Sequence, residues 1–265
     1  MNTEPVRADR RLGQNFLVDA NVLDVIERFA ELEASDVALE IGPGPGTLTE
    51  RLVARVAHVH AIEIDERFRP HLRERLGAPS NLDLLFADAL RVDLGSLSPA
   101  PTKLVANLPY SIATPLLMES VHTLPEVTRW CVMVQREVGD RMLASPRTRA
   151  YGAVSVIVQL TASRAGFHPV SRTCFSPVPN VDSALVCLER KRSWGAEFPP
   201  LRELVAGAFS HRRKTLANSL ALSGVSSRER AVAALETLGR APNVRAEELA
   251  PEEFVELDLA LGRAT

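Results

Sequence analysis

Three cysteines in 265 residues are too few and too scattered for a disulfide framework, and Cys131, Cys174 and Cys187 lack the close spacing of a thiolate metal site. They are expected to be packing residues in a reducing compartment. Long apolar runs are missing too. Trp130 to Val134 and Val156 to Val158 fall far short of the roughly 20 residues a membrane span needs, so no membrane segment is expected. The opening MNTEPVRADRRLGQNFL has charges but no apolar stretch of the kind a secretory leader carries, which points to the cytoplasm. Aromatic residues make up only 5%. Neither internal repeats nor low-complexity segments are present. What the chain does have is 46% hydrophobic and 24% charged residues, the balance of a globular protein able to bury a sizeable core.

The net charge of -2 conceals a segregation along the chain. Residues 1–128 hold 12 basic and 19 acidic side chains, residues 129–214 hold 14 and 6, and residues 215–265 hold 5 and 8. A basic middle between acidic flanks suits a polyanion, because each cation that neutralises a phosphate releases a counterion. Charges solvating several helix faces would give the same counts.

A helix is expected over Asp19 to Leu32, with Asp19 as N-cap. From Val37 short apolar runs (VALEI, VHAIEID, LDLLFAD, KLVAN, WCVMVQ) alternate with amphipathic stretches, the pattern of successive βαβ units and a doubly wound parallel sheet. Val154–Thr161 and Ala184–Leu188 read as further strands that could add antiparallel edges. Periodicity stops around Arg190 to Pro200. Beyond it only helical patterns remain, over Leu201–Leu222, Ser227–Leu238 and Glu252–Leu261. The expected organisation is therefore an α/β domain over residues 1–192 and a small all-helical domain over residues 193–265.

Gly42, Gly44 and Gly46 in EIGPGPGTLTE follow a strand and open a helix. Thr47 stands where a dinucleotide fingerprint needs its last glycine, so a pyrophosphate is not expected. Glu63 closes the second strand, 17 residues after Gly46, and could take both hydroxyls of a ribose; Asp88 closes the third. Either acid alone could be a helix cap. Together with the glycines they favour an adenosine-bearing cofactor without pyrophosphate, and S-adenosylmethionine fits. The fourth strand runs into Asn107, Leu108, Pro109 and Tyr110. An exocyclic adenine amine is a poor nucleophile, its lone pair being drawn into the ring. The Asn107 side-chain oxygen and the Leu108 carbonyl could accept its two hydrogen bonds while the Tyr110 ring stacks on the base. Attack on a sulfonium methyl then needs orientation more than a base, and no metal.

These motifs, with LGQNFL at 12–17, MVQREVGDR at 133–141, YGAVSV at 151–156, FSPVPNVDSALV at 175–186 and AFSHRRKTLANSL at 208–220, resemble the ribosomal RNA adenine N6,N6-dimethyltransferase family in its bacterial small-subunit (KsgA-like) branch. The resemblance spans nearly the whole chain. It implies a Rossmann-like S-adenosylmethionine-dependent methyltransferase sheet in which Asn15, Leu17, Gly42, Glu63, Asp88 and Asn107 contact the cofactor. It implies further that Asn107 to Tyr110 hold the target adenine and that Phe175 offers a second aromatic face. The implied substrate is a pair of adjacent adenosines near the 3′ end of small-subunit (16S) rRNA, each methylated twice, within a pre-30S particle. The enzyme is expected to act as a monomer.

Arg212, Arg213 and Lys214, placed by the pattern on a helix, together with Arg136, Arg141, Arg147 and Arg149, are candidates for phosphate contact. His58 and His60 share a strand face and could ligate a metal, but the sequence brings no third ligand into view, and none is expected. Three alternatives stay open. One is a large-subunit adenine methylase of the kind linked to macrolide resistance, another a non-catalytic RNA-binding or assembly factor. The last is a nicotinamide dehydrogenase, disfavoured by Thr47.

Overall fold

The computed structural model describes residues 6–263; the first five residues of the segment read for a leader lie outside it. Two compact units emerge, one formed by residues 1–139 and 164–190 and the other by 140–163 and 191–265. The segment 140–163, expected with the sheet, instead belongs with the C-terminal helices.

In the first unit, β1 (Phe16–Leu17) leads into α1 (Ala20–Ala30). Asp19 caps that helix by accepting from the amides of Asn21 and Val22. Then β2 (Val37–Ile41), α2 (Thr47–Val53), β3 (His58–Glu63), α3 (Arg69–Leu76), β4 (Leu82–Phe86), β5 (Lys103–Asn107), α4 (Ala113–Thr123) and β6 (Arg129–Gln135) alternate as expected. The seven-stranded sheet has the order β4-β3-β2-β5-β6-β9-β7. Its first five strands are mutually parallel. β9 (Ser183–Arg190) lies antiparallel to β6, in the register Arg129↔Glu189 to Gln135↔Ser183. Helices on a parallel sheet leave little of it wet, and all five residues of β2 are buried. Strand order reverses between β2 and β5, where open sheets of this kind present a crevice at their carboxyl ends.

The sheet edge corrects the sequence reading. Ala184–Leu188 is a strand, but an interior one, and the edge is β7 (Ala162–Val170), whose Pro169 suits a position with fewer ladder bonds to make. Val154–Thr161 is not a strand. It is α6 (Ala153–Thr161), six of whose nine residues are buried. A β-branched run with apolar groups on all sides reads as a buried strand, but a helix wrapped by its neighbours needs the same composition. A short strand, β8 (Phe175–Ser176), pairs antiparallel with β1.

Cys131 and Cys187 are register partners on β6 and β9, both buried in the core, and all three cysteines are free thiols. Trp130 is fully buried, its Nε1 donating to the Ser120 hydroxyl at 3.0 Å.

The second unit contains α6 and, beyond 191, α7 (Phe198–Phe209), α8 (Leu216–Leu222), α9 (Arg228–Thr237) and α10 (Pro251–Ala260), besides the end of α5 (Arg136–Met142). Tyr151 is buried there with its hydroxyl on the Leu249 carbonyl at 2.9 Å. The single helix expected over Leu201–Leu222 is broken at residues 210–215. Thr215 caps α8 by accepting from the Asn218 amide, which starts a new helix inside the apolar periodicity. Arg212 to Lys214 therefore sit on a turn rather than on a helix.

Candidate active site

The carboxyl ends of β2, β3, β4 and β5 surround a cavity of about 830 Å³, its open mouth included, lined among others by Gly42, Gly44, Glu63, Ile64, Asp88 and Asn107 to Ile112. The glycine loop bends through positive φ at Gly42 (72°) and Gly44 (54°), a backbone that a Cβ would strain. Space is tight there as well. A Cβ at Gly42 would lie 3.3 Å from Pro109, and one at Gly44 would lie 3.0 Å from the Phe16 ring. The loop thus abuts the Asn107–Tyr110 turn on one side and the N-terminal segment on the other.

Glu63, 3% exposed, accepts from the Gly44 amide through Oε2 and the Asp65 amide through Oε1, each at 2.9 Å. Burial pushes its carboxyl above the usual range, while those two amides pull it back. Each oxygen keeps a lone pair for a ligand hydroxyl. Asp88 is half-buried; its Oδ1 holds the Leu90 amide at 3.0 Å and its Oδ2 lies 3.4 Å from Arg91. Ile64, 50% exposed, presents an apolar surface beside Glu63 in the same cavity.

At the end of β5, the Asn107 Nδ2 donates to the Asn15 carbonyl at 3.0 Å. That bond consumes a donor and leaves the side-chain oxygen as an acceptor on the cavity wall. The Pro109 carbonyl accepts from the Ile112 and Ala113 amides, turning the chain into α4. Tyr110 is held by its hydroxyl against Ser183 at 2.6 Å, a contact from β9 that no motif announced. Burial raises the phenol's pKa, so it stays protonated at neutral pH. The N-terminal segment is tied across the strand ends by Gln14, whose amide donates to Asp65 at 2.9 Å and whose Oε1 accepts from the Asp9 amide at 2.7 Å.

Of the expected residues, the structure brings together Asn15, Gly42, Gly44, Glu63, Asp88 and Asn107 to Tyr110. Two side chains are elsewhere. Phe175, 2% exposed, and Leu17, 7% exposed, belong to the hydrophobic core beneath β1 and β8. They are register partners, so each covers the other, and Phe175 has no open face for a base. Phe16, one residue earlier and pointing to the opposite side of its strand, lines the cavity in place of Leu17. Phe16 and Ile64 were missed because nothing in the sequence says which member of an apolar pair faces the crevice. The alternation of side chains along β1 and the position of Ile64 directly after the strand-closing acid were the available signals.

Among the basic residues, Arg212 is committed within its own unit. Its guanidinium donates to the carbonyls of Arg149 and Tyr151, each at 3.0 Å, and lies 3.7 Å from Glu247. The Arg147 amide donates to the Glu247 carbonyl at 2.7 Å. Arg147, Arg149 and Arg212 are thereby gathered, with Arg213 and Lys214 exposed on the adjoining turn. Arg136 is elsewhere, lining a second cavity of the sheet unit with Arg172 and Asp182.

A mixed sheet with one antiparallel strand next to the last parallel one, and acids and a glycine loop at its carboxyl ends, defines the class of Rossmann-like methyltransferases. Structures of that class match it across the chain. A dimethyladenosine transferase from Plasmodium falciparum superposes with a TM-score of 0.80 at 27% identity, over 94% of this chain and 98% of that one. The 23S rRNA methyltransferase ErmE gives 0.67 at 29% identity, over 94% and 100%. The model of the family "Ribosomal RNA adenine dimethylase" matches residues 6–260, and the chain belongs to that family. Relatives include the ribosomal RNA small subunit methyltransferase A of Rubrobacter xylanophilus, 48% identical over 95% of this chain and 94% of that protein. The protein of the same name from Geobacter metallireducens is 40% identical over 98% of each. The protein is thus a methyltransferase of the ribosomal RNA adenine type.

Proposed function

We propose that the cavity binds S-adenosylmethionine and that the chain dimethylates N6 of two adjacent adenosines near the 3′ end of small-subunit rRNA, in a pre-30S particle. The observation that carries this reading is the fixed amide of Asn107. With one Nδ2 hydrogen donated to the Asn15 carbonyl, the amide of this cavity-lining residue is oriented, and Oδ1 remains available as an acceptor, the polarity an exocyclic N–H needs.

The residues fit the cofactor on their own chemistry. Positive-φ glycines clear the space that a Cβ would fill, Glu63 offers unspent lone pairs to ribose hydroxyls, Asp88 offers a carboxylate for the purine amine, and Ile64 supplies an apolar face. Bound there, the cofactor supplies an activated methyl on a sulfonium. The protein's part is positional. Asn107 Oδ1 and the Leu108 carbonyl accept from the adenine amine, which favours a pyramidal nitrogen with its lone pair directed at the methyl. Tyr110, fixed through Ser183, offers its ring for stacking once the base leaves its helix. The first transfer gives a cationic nitrogen that releases one proton to solvent, and the remaining N–H can be held by one of the same acceptors for the second. The sheet unit would carry the chemistry, and the helical unit, which holds Arg147, Arg149 and Arg212 to Lys214, would recognise RNA.

The small-subunit assignment, over the large-subunit one, is supported by relatives named for small-subunit methylation at 38–48% identity over at least 95% of the chain. The test is Asn107→Ala. It should lower methyl transfer to small-subunit rRNA by about a hundred- to a thousandfold, the scale of losing a preorganised polar contact to a reacting group, with an unchanged circular dichroism spectrum. Retained turnover would overturn the role assigned to Asn107.

A further inference from the structure

β3 ends in Glu63 but begins with His58 and His60, five and three residues away, at the other end of the strand from the cavity. Their side chains share a face, and the register partner of His60 on β4 is Asp83. The third ligand that the sequence did not reveal is therefore supplied by strand pairing. Asp83 Oδ2 lies 2.9 Å from His58 Nε2 and 3.4 Å from His60 Nδ1. One ligand atom from each of the three residues falls within 4.8 Å of the others.

The geometry of His60 orients one ring nitrogen toward the cluster. Its ring is buried, 3% exposed, and Nε2 stands 2.8 Å from the Pro99 carbonyl oxygen, which can only accept. Nε2 therefore carries a hydrogen, and in the neutral ring Nδ1 is a lone pair. Nδ1 faces the Asp83 carboxylate oxygen 3.4 Å away, a spacing that either a shared proton or a metal ion can bridge. Ligand atoms around a tetrahedral ion with bonds of roughly 2.0–2.2 Å stand about 3.3–3.5 Å apart; the His60–Asp83 spacing of 3.4 Å matches, and the 2.9 Å His58–Asp83 hydrogen bond has to lengthen as an ion enters. A backbone carbonyl on the far ring nitrogen is also the usual outer partner that orients a metal-bound imidazole. The Asp83 side chain is 62% exposed, giving an ion a route from solvent and a water for its fourth position.

We propose that His58, His60 and Asp83 form a binding site for a borderline divalent transition-metal ion, with Zn²⁺ as its reference occupant. Two imidazoles and one carboxylate suit such ions and not Mg²⁺ or Ca²⁺, which take all-oxygen shells. The site is set apart from methyl transfer, about 10–16 Å along the strand from Glu63 at roughly 3.3 Å per residue. It joins β4, the edge strand of the sheet, to β3. The ion acts as a cross-strand staple on the two strands whose far ends lead to Glu63 and Asp88.

The full-length protein, stripped with a chelator, would be titrated with Zn²⁺ alone by calorimetry and followed by thermal unfolding, beside Asp83→Asn and His58→Gln. The parent should bind one ion per chain with micromolar or tighter affinity and unfold several degrees higher when loaded. Each variant should bind at least tenfold more weakly and lose that rise, and Mg²⁺ should do neither. Co²⁺ should give the parent the intense visible absorption of a tetrahedral complex. Failure of the parent to bind one Zn²⁺ per chain, equal uptake and equal thermal response in parent and variants, or an equal response to Mg²⁺ would overturn the proposal. Adenosine-cofactor affinity serves as the control for folding, and it should be the same in all three proteins.

Discussion

A carboxyl group sealed from water with no partner for one oxygen holds on to its proton, and Glu40 is such a group. It lies on β2 directly before the glycine loop, 2% exposed, with no hydrogen-bond partner for Oε2 among the described residues. Burial pushes its pKa up to about 8, and the nearby Glu63 adds to the effect. Because the folded value lies above the unfolded one, the stability contribution is fully present below about pH 4.5. It is lost as pH rises toward 8, by an amount on the order of a few kcal/mol. Glu40→Gln, which mimics the protonated form, should therefore unfold at a progressively higher temperature than the parent between pH 5 and pH 8. A constant difference across that range would count against a protonated Glu40. The same scale shows why some of the site was legible. Gly42, Gly44, Glu63, Asp88 and Asn107 are chosen for backbone freedom or hydrogen-bonding capacity, which residue identity alone reveals. That the Phe175 and Leu17 side chains pack in the core was not legible, because an aromatic or aliphatic side chain is chemically equal in a core and in a pocket wall, and only pairing of β1 with β8 decides between them.

At the scale of elements, the sheet is pinned at its amino end by a buried ion pair. Lys103, at the start of β5, reaches Asp36 at 3.1 Å and the Ala30 carbonyl at the end of α1, also at 3.1 Å. Asp36 in turn accepts from the Thr102 hydroxyl at 2.8 Å. Removing one member leaves the other charge buried without compensation, so Lys103→Met should cost about 3–5 kcal/mol in denaturant unfolding. A loss below about 1 kcal/mol would mean that the pair is solvated. The βαβ alternation was readable because period-2 and period-3.6 patterns alternate cleanly from Val37 to Met142. It failed at α6, where burial on every side erases periodicity, and at Thr215, where a cap interrupts a pattern that continues across it.

For the whole molecule, the charge segregation acquires a structural counterpart. The basic stretch 129–214 contributes to both units, and in the helical one the Arg212 side chain meets Glu247 and the Arg149 backbone, while the Arg147 amide meets the Glu247 carbonyl. With Arg212 already bonded to backbone carbonyls, Arg213 and Lys214 are the freer candidates for phosphate. Replacing both by alanine should lower the slope of log affinity for rRNA against log salt by about 1.5, near the value for two phosphate contacts. An unchanged slope would remove that turn from the RNA interface. The sequence could expose the excess of cations but not this division of labour, because which arginines bond to the protein itself depends on contacts between distant segments.

The central claim is that the Asn107 cavity dimethylates paired adenosines of small-subunit rRNA, and mapping of the product tests it most directly. Undermethylated 30S particles and 50S particles would be incubated separately with the protein and isotopically labelled S-adenosylmethionine, and their rRNA digested for mass spectrometry. The account predicts label only in small-subunit rRNA, as two methyl groups on N6 of each of two adjacent adenosines near the 3′ end. Label confined to large-subunit rRNA, or none in either, would contradict it.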